Sequence, residues 1–245
     1  MLKLITLITK FIVITIIALL FGSCNQGLLN SVTGSGNVTT EKRTVAGDFK
    51  NIEISNALDL EIEQSNTTEI IVIADDNLQK DIITNIENGV LSISCKFGNY
   101  NNVTSKKVKV KMPVIEGLEA SSASTIRSNS TLKGVNLSLV SSSAASINIA
   151  AEYENIELNS SSGSSQTIKG KAIHAVTSSS SGSTLNAGEL FVNDIDANAS
   201  SGSSTIVSPI VSLKADASSG SSIVYKKTPK SIEKEEHSGA SIHQE

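Results

Sequence analysis

The chain has 245 residues, of which 24 are acidic and 20 basic, with no tryptophan and 3% aromatic residues. A net charge of −4 supplies no basic footprint for nucleic acid. Aromatic bulk is too scarce for an ordinary globular core, whereas a narrow stack of short strands can be filled with Ile, Leu, Val and Ala.

Lys3 and Lys10 flank the start of Phe11–Phe21, an unbroken run of apolar residues and Thr. Such a run is too short for a membrane-spanning helix, which needs about 20 residues. The sequence Leu20-Phe21-Gly22-Ser23-Cys24 resembles the lipobox of bacterial lipoprotein signal peptides, with Phe21 in place of the usual Leu. The resemblance implies that residues 1–23 are a signal peptide and that Cys24 is lipidated and becomes the mature N-terminus. An ordinary signal peptide with an incidental Cys24 is the alternative. Removing residues 1–23 takes Lys3 and Lys10 away and leaves a net charge of −6. Residues 24–44 are polar and rich in Gly, Ser and Thr, which predicts a flexible tether.

Residues 45–117 read as a β-rich first part of one domain. Strand-like runs fall at Val45–Ile54, Leu58–Glu63, Glu69–Ala74, Val90–Lys96 and Lys106–Met112. Between them, Asp75 and Asp76 precede Leu78, Ile82, Ile83 and Ile86 at helical spacing. That pattern predicts one short amphipathic helix over 75–86, a candidate cover for an open end of the fold. Asn88-Gly89 is a turn signal. Cys95 lies in a strand pattern and reads as a small core residue.

From 118 to 245 one motif returns: two serines, Gly or Ala, small residues, and usually an aliphatic. Its Gly/Ala place is held by Ala123, Ala144, Gly163, Gly182, Gly202, Gly220 and Gly239, at spacings of about 19 residues. Seven, five and three places before Gly202 stand Ile195, Ala197 and Ala199, and before Gly220 stand Leu213, Ala215 and Ala217. Polar residues fill the places between. A disordered serine tract has no reason to keep that period-two phase, so the repeat predicts stacked strands. Nineteen residues suit two or three short strands with tight corners, hence an all-β, right-handed parallel β-helix. Serine hydroxyls would bond from rung to rung at the turn, where glycine permits positive φ. Further corners are expected near Gly134, Gly170, Gly188, Pro209 and Pro229. The same phase puts Ile232, Lys234 and Glu236 at inward places before Gly239, which predicts a degraded, charged closing coil that frays or covers the one before it.

Chemistry is harder to find. His174 takes an outward strand place, while His237 and His243 flank the last repeat without a recognised metal-ligand spacing. The outward acids Glu157, Asp194, Asp196 and Asp216 are the material for a polysaccharide lyase or hydrolase, the alternative function. Val176 interrupts their alignment, and Arg127 is the single arginine of the repeats. A flat hydroxyl array like that of ice-binding β-helices is a third possibility, weakened by coil lengths that vary from 18 to 21 residues. No cofactor is implied.

Gly47-Asp48-Phe49-Lys50-Asn51-Ile52, the strand Leu58–Gln64, and Met112-Pro113 leading into Leu118-Glu119-Ala120-Ser121-Ser122 resemble the head GIN domain family. These are bacterial envelope proteins described as autotransporter adhesins, common in Bacteroidetes. The resemblance spans about residues 45–225 and implies a β-helical fold, an envelope location and a non-catalytic adhesin or scaffold role. It brings no catalytic residues. After Tyr225 about 20 polar residues follow, too few for a membrane β-barrel of at least eight strands. The expected partners are the membrane, through the lipid on Cys24, and an envelope protein or glycan. Surface lipoproteins of this group carry acids soon after the cysteine, and Asn25–Asn30 has none, which leans toward a periplasm-facing outer-membrane anchor.

Overall fold

The computed structural model describes residues 31–245 together with Lys10. The signal-peptide and Cys24 assignments lie outside them.

Five long strands, Thr125–Ser141, Ser146–Ser160, Ser165–Ser179, Thr184–Ala199 and Ser204–Ala217, stack in parallel, in register except at irregularities after Arg127, Thr167, Ala187 and Val192. Each is one coil, bent at a corner into two walls. Rungs repeat at the spacing of a β-ladder, about 4.8 Å. Alternation sets the inside: Ile195, Ala197 and Ala199 are buried, and Leu213, Ala215 and Ala217 lie in line with them on the next coil. The parallel β-helix therefore has a thin aliphatic core, with Phe49, Tyr153 and Tyr225 as its buried aromatic residues.

The coil connections are type I′-like turns. Each carries two consecutive residues with positive φ, from Ser122 at 52° and Ala123 at 61° to Ser238 at 52° and Gly239 at 75°. All seven Gly/Ala residues of the repeat occupy the second of these places. Within the turn, Ser203 N donates to Ser200 O at 3.1 Å, and Gly202 N donates across coils to Ser219 O at 3.0 Å. An eighth turn of the same kind stands at Asn56-Ala57, whose Ala57 N donates to Ser122 O at 2.9 Å.

The first coil is Asn51–Ile54, this turn, and Asp59–Gln64; a long excursion then runs to Gly117–Ala120, which resumes the stack. The excursion closes the N-terminal end with antiparallel strands. Glu69–Asp75 pairs with Lys106–Met112 on one wall, and Ile82–Glu87 pairs with Val90–Cys95 on the other.

The helix expected over 75–86 is not formed. A six-residue 3-10 helix, Asp76–Asp81, crosses from one wall to the other with Leu78 buried, and Ile82–Glu87 is a strand. Ile82 and Ile86 also fit a period of two, and the hairpin through Asn88-Gly89 decides for the strand. Part of the segment expected as a tether is also strand. Ser31–Thr33 pairs with Asn99–Asn101, and Val38–Arg43 adds an antiparallel edge strand to Glu69–Asp75.

At the other end the closing coil keeps its register, Ser231–Glu236 on Ser212–Ala217 and Ser241–Gln244 on Ser222–Tyr225. Lys234 Nζ lies 4.5 Å from the centre of the Tyr225 ring and donates to its hydroxyl at 2.9 Å, while Glu236 accepts from Ile242 N at 2.7 Å. The two inward charges thus cover the last aliphatic rung.

Candidate functional site

Three surfaces of the solenoid could meet a partner: the turn ridge, the flat outer wall and the corner opposite the turns.

Along the ridge the serines divide their work. The fourth turn residue is buried and bonds to backbone: Ser164 Oγ donates to Ser141 O at 2.9 Å, Ser183 Oγ to Ser160 O at 2.8 Å and Ser221 Oγ to Ala199 O at 2.9 Å. Each also accepts from the first residue of its own turn, as in Ser161 N to Ser164 Oγ at 3.1 Å. The expected hydroxyl-to-hydroxyl ladder is therefore a ladder from hydroxyl to the previous coil's carbonyl, with a staple at each turn of the repeat except those where Ala145 and Ala240 hold the fourth place. Hydroxyl pairs occur chiefly inside, as between Ser141, Ser160 and Ser164. The exposed serines at the second turn place, such as Ser181 and Ser201, hold left-handed backbone, and their role is to make the bend.

On the flat wall the outward residues form columns. Asn155, His174, Asp194 and Ser212 stack in one, and Glu157, Val176, Asp196 and Lys214 in the next. His174 Nδ1 lies 3.4 Å from Asp194 Oδ2, a pair one coil apart that adjacency along the chain does not reveal. Asp194 also accepts from Ser212 Oγ at 2.6 Å, and Asp196 from Asn198 at 3.1 Å. Val176 separates Glu157 from Asp196, and Asp216 stands in a third column, in line with Asn198. Among the described residues no group of three His, Cys, Asp or Glu is placed to hold a metal ion. The His237 ring pairs with Glu235, at 3.9 Å.

The corner differs in chemistry. Gly134, Tyr153, Ala172, Val192 and Pro209 stack there on successive coils. The Tyr153 ring occupies the space that a Cβ on Gly134 would need, 2.5 Å from a ring carbon. Its hydroxyl donates to Ile115 O at 2.9 Å, and burial with the nearby Glu116 charge pushes its pKa up to about 12. Gly170 is required for a second reason: φ is 126°, and a Cβ would lie 2.0 Å from Ala151 O.

These small residues leave a groove of about 730 Å³, lined among others by Ile173, Phe191 and Ile210. Ten large apolar side chains are exposed among the described residues, and half of them gather here: Val135, Ile173, Phe191, Ile210 and Val211. Packing does not require any of them to face water, and such concentration on one edge marks a contact surface. Charges rim it. Glu152 is shared by Lys133 at 3.2 Å and Lys171 at 3.7 Å, and Lys227 Nζ sits 4.3 Å above the Phe191 ring. The repeat motif drew attention to the turns and so away from this edge. The signal was present as lone aliphatics next to the corner residues, Val135 after Gly134 and Ile210 after Pro209.

Residues 48–229 match the family described as "Putative auto-transporter adhesin, head GIN domain". No curated protein matches the chain. Among solved structures, a "putative adhesin" from Bacteroides fragilis superposes with a TM-score of 0.81 at 19% identity, covering 87% of this chain and 100% of its own. A "putative adhesin" from Parabacteroides merdae gives 0.69 at 23%, covering 88% and 99%. A "putative lipid binding protein" from Parabacteroides distasonis gives 0.70 at 19%, covering 88% and 100%. At these identities the likeness is one of fold.

Proposed function

The chain belongs to the head GIN domain family, and from that premise we propose that it is a non-catalytic contact module of the cell envelope, held to the outer membrane by a lipid on Cys24. The observation that carries this reading is the corner, where exposed apolar side chains gather while the turns and walls are hydroxyl-rich and charged. Neighbours of the same fold described as adhesins support it. Bond cleavage has no place in this reading, because the outward acids are interrupted by Val176 and engaged by Ser212 and Asn198. In this reading attachment is through the lipid that the lipobox resemblance of Leu20–Cys24 implies; no helix among the described residues is long and apolar enough to cross a membrane.

A second reading, an acyl chain lying in the corner groove, is favoured by the groove's apolar lining and by the neighbour described as lipid binding.

Fractionation of cells making the full chain tests the anchor. Cys24→Ala is expected to release the protein from the membrane fraction or to leave it unprocessed. Unchanged partitioning with the same mature mass would contradict lipidation. Protease treatment of intact cells then decides the face: digestion means display to the outside, and protection means a scaffold turned toward the periplasm.

A further inference from the structure

We propose that the corner groove is a self-association surface on which a second copy of this chain packs antiparallel, with the two-fold axis near Phe191. The pairing rests on the reading of the corner as a contact surface and names its partner.

The argument is the order of side chains along the corner. Phe191 marks the centre. One coil toward the N-terminus stands Ile173, and one coil toward the C-terminus stand Ile210 and Val211. Two coils toward the N-terminus stands Glu154, exposed and without an ion-pair partner among the described residues. Two coils toward the C-terminus the corner is the segment Lys226–Lys230, in which Lys227 and Lys230 are exposed. Glu154 and Lys230 therefore lie at equal offsets on either side of the centre, about 10 Å away at the spacing of β-rungs, while the Lys227 ammonium reaches back over the Phe191 ring.

A two-fold operation about Phe191 exchanges the ends. Ile173 of one copy then meets Ile210 of the other, the two Phe191 side chains flank the axis, and Glu154 meets Lys230. An isologous contact must be self-complementary in this way. A parallel arrangement would set like charges face to face, which is disfavoured. With anchors at the N-terminal ends, such a pair carries them at opposite ends, the geometry of a bridge between two facing surfaces.

Disulfide capture in cells making the full chain tests the pairing, in a Cys95→Ser background. Phe191→Cys places two thiols nearest the axis, where a disulfide forms whenever the Cα atoms come within about 4.4–6.8 Å. A reducible band of twice the mass is expected with Phe191→Cys and none with Ser178→Cys on the flat wall. Chains carrying Ile173→Cys mixed with chains carrying Ile210→Cys should cross-link to each other, which guards against a local effect at position 191. Glu154→Lys should lower the yield at least about fivefold, and adding Lys230→Glu should restore it.

Phe191→Cys linked to bands of another mass would overturn self-pairing while leaving a contact surface for another protein. Phe191→Cys unlinked but shielded from maleimide would overturn it in favour of an amphiphile in the groove. Free labelling without any cross-link would remove both the pairing and the contact reading.

Discussion

Asp75 shows how much one side chain can hold. It is fully buried, yet its carboxylate accepts from Gly36 N at 3.0 Å, Ser105 N at 3.0 Å and Thr104 N at 3.2 Å. Burial alone would raise its pKa, but the three backbone donors outweigh that and hold it below the usual carboxylate value. A folded-state pKa below the unfolded one means stability that is fully present above the unfolded value, about 3.9, and is lost as pH falls through the folded value. Protection of the amides in Val38–Arg43, relative to the unfolded chain at the same pH, should therefore fall below about pH 4 while the central coils stay protected. Asp75→Asn should bring the same loosening at neutral pH. Equal protection of the edge strand at pH 3 and 7 would assign the anchoring to other groups.

Gly202 carries the opposite lesson. A Cβ there would meet open space, so no crowding arises and only the backbone term remains. With φ at 69°, Gly202→Val should cost about 1–2 kcal/mol in thermal or denaturant unfolding. Gly202→Ala should cost less, because Ala123 and Ala144 already hold that place at 61°. Equal losses for Val and Ala well above this range would mean that the side-chain space is not open.

At the scale of elements, the coils were legible because two independent periods agree, the return of the turn about every 19 residues and the alternation within each coil. The turn at Asn56-Ala57 was not, because the excursion sets it 66 residues before Ala123 and so breaks the repeat. The segment 75–86 was misread because its apolar residues satisfy both periods, and only pairing with Val90–Cys95 chooses between them. His174 and Asp194 meet because each stands eight places before its turn glycine, a relation that appears only once coils are laid side by side.

The closing coil offers an element-scale test. Truncation after Lys226 removes Lys234 from Tyr225 and bares the edges of Ser204–Ala217 and Ser222–Tyr225. End-to-end association should rise, because open strand edges recruit further strands. The melting temperature should fall only slightly, because the closing coil buries little beyond Ile242. A chain that fails to fold would instead make this coil part of the cooperative core.

For the whole molecule, the division of labour is between a ridge that builds the stack and a corner that is free to bind. The turn residues have their polar groups engaged with neighbouring coils, whereas the apolar corner has no partner within the chain that fully covers it. The fold followed from the sequence because folding constrains every coil alike. The corner was hard to see because a contact surface needs only a few residues, at positions the repeat leaves unconstrained. Single-cysteine labelling of the full chain in intact envelopes, in a Cys95→Ser background, tests this division most directly. Ile173→Cys should be shielded from maleimide in the envelope and labelled readily in dilute purified protein, while Ser181→Cys on the ridge should label in both. Equal labelling of Ile173→Cys and Ser181→Cys in the envelope would contradict the account.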